Sequence, residues 1–466
     1  YVTAFFTLSC LLLALWPRTG KVVLGQEGEK PEFSMFTWLS MMFGAGIGIG
    51  MLTYSTAEPI FHFASNPDTI QGFSTGLDEN NVRNAYKWAL LHYGFTPWAC
   101  YGVVGISLGY LSYGRGLPLT IRTGLQPLFG RAMSGWLGHL VDIAAILATL
   151  IGLGVTIGYG VSQFASGIFN ISAMDWIVDE AGKPTLVAQI TGLVIIVTAS
   201  CLSALSGLQR GIKWLSNINM GLSIFLVLFF VVFGATLFAV KSFGYAIWDY
   251  LLALPSMSTT VWNNPDTEMG AALQNWQGAW NIFYWAWWIA FAPFVGLFLA
   301  RVSRGRTVRE YVLGAMIIPS LICLVWFTFI GATAIDLELR GIAQGAIVNA
   351  DISAQLFKTI NLILSPELAI ALSAVVVTLL LTFLVTSADS GILIINTLAS
   401  GGDQSQKQAV HVIIWGLFFA VLVAVLLAAG GMNALRSAMI VGALPFSLVM
   451  ALMTISMIKA LVLDRD

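Results

Sequence analysis

Charge is the scarcest ingredient of this sequence: Asp, Glu, Lys and Arg make up 10% of its 466 residues, where a soluble domain carries about 25%. With 58% hydrophobic residues, the chain has too little polar surface to cover a water-soluble body of this size. The charges nearly cancel, to a net −1, which argues against a nucleic-acid partner because that would need a basic face. Histidine is equally sparse. His62, His92, His139 and His411 are scattered, whereas an intramembrane enzyme would need a paired base and nucleophile or a metal set. The chain is therefore read as a non-enzyme, with no catalytic residue and no cofactor. Cys10, Cys100, Cys201 and Cys323 lie in apolar runs without metal-ligand spacing and read as buried small hydrophobes. No signal peptide is visible, and because the chain opens inside an apolar run at Tyr1 its true N-terminus is expected upstream.

Long apolar runs are what the sequence has instead. Runs of about 20 residues, enough to cross a hydrocarbon core of roughly 30 Å, recur near 1–16, 35–57, 88–113, 138–166, 186–206, 214–240, 279–300, 308–335, 368–398, 409–430 and 435–462. The fold class is an all-α integral membrane protein of about eleven spans. Basic residues follow the odd-numbered spans: Arg18, Lys21 and Lys30; Arg115, Arg122 and Arg131; Arg210 and Lys213; Arg301, Arg304, Arg306 and Arg309; Lys407; Lys459 and Arg465. The alternate loops lean acidic, with Asp68, Asp78 and Glu79, then Asp175, Asp179 and Glu180, then Asp249, Asp266 and Glu268, then Asp336, Glu338 and Asp351. Lys and Arg are retained on the cytoplasmic side, so the chain is placed in the plasma (cell inner) membrane with its C-terminus cytoplasmic.

The chain then divides into an N-terminal helix and cytoplasmic loop (1–34), a five-span half (35–240), an outer amphipathic connection (241–278), a second five-span half (279–462) and a cytoplasmic stub (463–466). Two halves that start from opposite sides have the layout of inverted-topology repeats. Ile352, Leu356, Phe357 and Ile360 form a further amphipathic stretch at helical spacing, read as a surface helix or a lid.

The first helix of each half is expected to be interrupted. Gly44, Gly46, Gly48 and Gly50 alternate through the second span, each costing about 1 kcal/mol relative to Ala in a helix. Unwound backbone at membrane depth lines cavities, and its carbonyls can hold a cation while a half-helix N-terminus faces an anion; close helix packing through small residues is the alternative. The seventh span carries Tyr284-Trp285-Ala286-Trp287-Trp288 and Pro293. Tryptophan normally collects at the membrane interfaces, so mid-span tryptophans read either as an aromatic cage for a quaternary cation or as bulky packing. Trp98 and Tyr101, three apart, share one face of the third span. Thr386, Ser387, Asp389 and Ser390 sit inside the ninth span, where polar groups are functional by default; the two hydroxyls suit sodium, and Asp389 reads as a structural or gating partner.

Together, the glycine segment leading into Tyr54-Ser55-Thr56-Ala57-Glu58-Pro59, the tract Phe283–Trp288 running on to Arg301-Val302-Ser303-Arg304-Gly305-Arg306, and Thr386–Ser390 resemble the betaine/carnitine/choline transporters over essentially the whole chain. The resemblance implies a leucine-transporter-like fold of two inverted five-helix repeats, preceded by one further helix upstream, and assembly as a homotrimer in the lipid bilayer. It implies uptake of an onium osmoprotectant (glycine betaine, dimethylsulfoniopropionate, choline or carnitine) by sodium symport, the alternative being proton-coupled choline uptake or sodium-independent exchange. The aromatic box carried across would be Tyr93, Trp98, Tyr101, Trp287, Trp288 and Phe291, with the substrate carboxylate at Gly46, Gly48 and Gly50. Tyr93 and Phe291 depart from the Trp of the glycine-betaine carriers. The implied sodium site uses Gly44, Ile47 and Phe383 backbone oxygens with Thr386 and Ser387. Gly50 stands where proton-coupled choline carriers have Asp, and Leu153, paired with Thr149, departs from a second sodium site.

Overall fold

The computed structural model describes residues 1–46, 48–206, 213–403 and 409–463, which contain helices and two isolated β-bridges but no β-strand. Among the described residues, eight helices are long and apolar enough to span a membrane. α1 (Val2–Leu15) is followed by α2 (Met35–Gly46) and α3 (Gly48–Ala64), and by a broken pair, α4 (Val82–Tyr93) and α5 (Phe95–Leu108). Then come α6 (Trp136–Ser172), α7 (Leu186–Ser206), α8 (Lys213–Phe233), α9 (Thr236–Thr259), α10 (Glu268–Gln277), α11 (Phe283–Val302), α12 (Ile318–Leu339), α13 (Pro366–Ala399) and α14 (Ala409–Ile458).

Three boundaries differ from the sequence reading. The third span is broken at Gly94 (φ −76, ψ −128), and Pro97 follows within the first turn of α5, where its missing N–H costs no helix bond. The expected connection 241–278 begins inside α9, which turns away from α8 at Gly234-Ala235 and packs on α4 and α12. By contrast, the interruption expected at Pro293 does not occur: α11 is helical throughout, buried on every side, where an open turn would strand backbone groups away from water. The irregularity lies earlier, in a wide π-type turn at Gly278–Ile282. Within α14 the tenth and eleventh spans are separate helices, as expected, meeting at a kink where Gly430 and Gly431 are not helical and Gly431 takes a φ of 61 that favours glycine.

Packing pairs the halves crosswise. α3 lies against α12, α11 against α5, α6 against α13 and α14, and α13 against α7. The basic connections meet on one face: Leu24 N–H donates to Arg306 O at 2.8 Å, Val308 N–H to Val22 O at 2.8 Å, and Lys459 Nζ to Pro127 O at 2.7 Å. On the opposite face Arg83 pairs with Asp249, and Asn361 Nδ2 donates to Asn170 Oδ1 at 2.7 Å. The two-sided arrangement that the charge alternation demands is thus present; Arg210, Lys407 and Arg465 lie outside the described residues. The helix Gln355–Ile363 buries Leu356, Phe357 and Ile360, fixing the predicted amphipathic stretch against the bundle.

Helix contacts are tight enough to make single methyl groups costly. A Cβ at Gly105 would lie 1.9 Å from Tyr311 Oη and 3.3 Å from Gly296 O, and the Tyr311 hydroxyl is buried without a hydrogen-bond partner. Gly105→Ala is expected to destabilise by about 1–3 kcal/mol, read as a lower melting temperature of the purified protein. Adding Tyr311→Phe removes the obstructing oxygen and recovers part of the loss.

Candidate functional site

α3, α4 and α11 bring a cluster of rings together inside the bundle. Trp287 and Trp288 stack at 5.1 Å with 10° between their planes. Tyr93 meets Trp288 edge-on at 5.4 Å, and Tyr284 stacks on Trp288 at 5.5 Å. Tyr54 stands 6.0 Å from Trp287, while Tyr159 of α6 stacks on Trp287 at 5.7 Å. The polar edges are anchored. Trp287 Nε1–H donates to Thr156 Oγ1 at 2.9 Å, Trp288 Nε1–H to His92 O at 3.0 Å, and Tyr93 Oη–H to Gly50 O at 3.2 Å. Such anchoring fixes which ring faces are presented and limits the rotamer freedom a ligand would otherwise have to freeze.

Of the six predicted box residues, Tyr93, Trp287 and Trp288 share this cluster. Trp98 and Tyr101 stand further along α5, edge to face at 5.8 Å, with the Trp98 indole N–H buried and unpartnered. Phe291 lies one turn along α11 against Phe294 at 5.1 Å. Tyr54, Tyr159 and Tyr284 were missed as ring partners. Only the i, i+3 and i, i+4 offsets of Tyr284 from Trp287 and Trp288 could have pointed to one of them.

The glycine segment is less unwound than expected. α2 remains helical to Gly46 and α3 resumes at Gly48, with Ile47 between them outside the described residues. Gly44 and Gly46 therefore end α2, and Gly48 and Gly50 begin α3. The cost of about 1 kcal/mol per glycine is smaller than that of leaving backbone groups unpaired at membrane depth, so the described glycines stay helical. Gly50 lies beside the rings: a Cβ there would be 3.3 Å from Tyr93 Oη and 3.5 Å from Trp287.

The same junction abuts the predicted sodium ligands. A Cβ at Gly48 would fall 2.3 Å from the Phe383 ring, so α3 begins directly against α13. Thr386 Oγ1 donates to Phe383 O at 3.1 Å and accepts from Asn219 Nδ2 at 3.2 Å. The Asn219 carbonyl oxygen is buried and unpartnered, an oxygen the sequence reading missed. Ser387 is buried beside Thr386. The donor set, hydroxyl and amide oxygens with a backbone carbonyl, suits a hard monovalent cation. Thr149 bonds back to Ala145 O at 2.8 Å, and Leu153 packs on Gly391, filling the space a second hydroxyl would need. Asp389 accepts from Ser203 Oγ at 2.5 Å and from Ser390 Oγ at 3.1 Å, which ties α13 to α7 as a structural partner would.

On the acidic-loop side a cavity of about 460 Å³ is lined by Asp179, Lys183, Asp351, Gly431 and Arg436, with Tyr159 of the ring cluster in its wall. Arg436 covers Phe283 at 4.3 Å and donates to Ala279 O at 2.8 Å.

A ring cluster buried among long apolar helices beside the helix break at Gly94 fits the class to which the relatives of this chain belong, membrane transporters of small solutes. The sequence matches the family description "BCCT, betaine/carnitine/choline family transporter" over residues 1–466, and the chain belongs to that family. It is 35% identical over 469 residues to the glycine betaine transporter OpuD of Bacillus subtilis, covering 100% of this chain and 86% of OpuD. It is also 34% identical to a glycine betaine/proline/choline transporter of Vibrio parahaemolyticus (98% and 81% covered), and 35% identical to the osmo-dependent choline transporter BetT2 of Acinetobacter baylyi (96% and 62% covered). A solved sodium-coupled sialic acid symporter aligns over 96% of this chain and 84% of its own at 10% identity and a TM-score of 0.49, a likeness too remote to carry weight.

Proposed function

We propose that this chain is a sodium-coupled symporter that imports a betaine-type onium zwitterion, glycine betaine or dimethylsulfoniopropionate, by alternating access. The observation that carries the reading is the juxtaposition of Tyr93, Trp287 and Trp288 with Gly50 of the glycine segment. Ring faces stabilise a methylated cation by up to about 2 kcal/mol each once water is excluded, and the backbone N–H groups of Gly46, Gly48 and Gly50 are the partners proposed for the carboxylate. Both ends of a zwitterion then have partners, and no side-chain charge is needed.

Sodium at Phe383, Thr386 and Ser387, with Gly44 and Ile47 completing the set, sits across the α3–α13 contact. Ion binding there favours the arrangement in which the two helices are together, and so favours substrate binding at the other end of the same α3 turn. The crosswise pairing of helices supports two inverted repeats over 35–240 and 279–462. The basic face, read by the positive-inside rule, puts the C-terminus in the cytoplasm. A homotrimer in the plasma membrane completes the proposal.

Reconstituted proteoliposomes with an inward sodium gradient are expected to accumulate glycine betaine and dimethylsulfoniopropionate, and to stop doing so when potassium replaces sodium. Uptake that persists in potassium and requires preloaded substrate would make the protein an exchanger. Choline uptake driven by a proton gradient would make it a proton-coupled carrier. Either result would remove the cation site assigned above.

A further inference from the structure

Beneath the ring cluster lies a polar knot that substrate contact does not explain. Glu58, His62 and His92 are all fully buried. Glu58 Oε1 is 2.5 Å from His92 Nδ1 and 3.3 Å from His62 Nε2, and Glu58 Oε2 accepts from Tyr284 Oη at 2.5 Å. On its other side His92 Nε2 meets Asn281 Oδ1 at 2.8 Å. The amide oxygen can only accept, so Nε2 carries a proton. The short contact at Nδ1 then holds one more, whether on the imidazole or on the carboxyl, and the pair as a whole is neutral. The three ligand-type atoms lie within 4.8 Å of one another, as a metal site would require. The 2.5 Å contact nevertheless leaves no room for an ion between Glu58 and His92, since oxygen and nitrogen ligands on one zinc at about 2.0–2.1 Å stand further apart.

Every partner in this knot belongs to the ring site or to its supports. Tyr284 stacks on Trp288 and also on His92, at 4.6 Å. The backbone oxygen of His92 holds the Trp288 indole, and the next residue is Tyr93. The titratable groups facing the pair are His62 and Tyr54 from α3, Tyr93 from α4 and Tyr284 from α11. Trp276 and Trp280 close the His side, with Trp280 at 4.5 Å from His62 and 6.1 Å from His92.

The geometry points to Glu58 and His92 as a positioning pair: by sharing one buried proton they lock α3, α4 and α11 together and set the spacing of Tyr93, Tyr284 and Trp288. The pair acts on substrate affinity through the rings and touches no substrate itself. This inference rests on the reading of the rings as the substrate site. Buried hydrogen bonds of this kind hold a unique geometry when every member is satisfied. Removing one partner leaves a buried group unpaired.

The test is a set of variants in the full chain, read by glycine betaine affinity and maximal uptake in proteoliposomes and by tryptophan emission without ligand. Glu58→Ala is expected to raise KM about 10-fold or more with the maximal rate within about 3-fold, and to red-shift the emission. Glu58→Gln, whose amide can donate to His92 Nδ1 and accept from Tyr284, recovers most of both. His92→Ala leaves the Glu58 carboxyl without its proton partner and raises KM in the same direction as Glu58→Ala. The inference is overturned if Glu58→Ala leaves both KM and emission unchanged, if its loss appears in maximal rate alone, or if Glu58→Gln is no better than Glu58→Ala. Failure of wild-type protein to bind glycine betaine would refute the functional reading instead, and the emission shifts, which need no ligand, still decide on the pair.

Discussion

Replacing Trp288 by Ala is expected to raise the KM for glycine betaine by about 30-fold, to the point where uptake from micromolar substrate is lost. Trp288 is almost wholly buried, and its faces are the centre of the cluster, stacked on Trp287 at 5.1 Å and on Tyr284 at 5.5 Å with Tyr93 edge-on. Taking one desolvated ring away from a methylated cation forfeits about 2 kcal/mol, which corresponds to about 30-fold in affinity. Trp288→Phe keeps a ring face but drops the indole bond to His92 O, a loss of about 1 kcal/mol, so an intermediate rise of about 5-fold is expected. Binding measured by tryptophan fluorescence in detergent should fall in parallel with uptake. The half-saturation concentration for sodium, measured at saturating substrate, should stay near the wild-type value, because Trp288 lies on α11 and none of the proposed ion ligands does. An unchanged KM in Trp288→Ala would mean that the rings are packing and that the substrate sits elsewhere.

Length and period made most of the membrane architecture legible in advance. The apolar runs mapped onto helices, and the alternation of basic and acidic loops sorted those loops onto two faces that the backbone contacts respect. What stayed hidden was local. A hydropathy window averages over about twenty residues and cannot see a break one residue long, so the stop at Gly94 and the turn at Gly234-Ala235 were absorbed into neighbouring spans. Pro293 misled in the opposite direction, because a missing helix bond is tolerated where α11 is packed on all sides. The Glu58 knot was out of reach for a different reason. Glu58 meets His92 across 34 residues and Tyr284 across 226, and nothing in a single sequence says that a carboxylate on one span will find those partners. The tryptophan tract was visible as chemistry, yet which of its neighbours would share the site depended on how α3, α4 and α11 pack.

Thr386→Ala is expected to raise the half-saturation concentration for sodium about 10-fold or more while leaving the KM for substrate near normal once sodium is saturating. Thr386 Oγ1 spends its proton on the carbonyls of Thr382 and Phe383, at 3.0 and 3.1 Å, and one lone pair on Asn219 Nδ2. One lone pair remains for a cation. Alanine removes that oxygen, frees the Phe383 carbonyl and leaves the Asn219 amide without its acceptor, so the site loses a ligand and the support of another. Thr386→Ser restores the hydroxyl and should restore most of the sodium affinity; Ser387→Ala should weaken it in the same direction as Thr386→Ala. The functional consequence follows from the energetics. One sodium ion entering down 100 mV supplies about 2.3 kcal/mol, enough to sustain about a 50-fold substrate gradient, and that gradient collapses when the ion no longer binds at its working concentration. Sodium flux and substrate flux measured together in Thr386→Ala vesicles should therefore fall together at low sodium and recover together as sodium is raised. Sodium dependence unchanged in both Thr386→Ala and Ser387→Ala would place the coupling ion away from the α3–α13 contact.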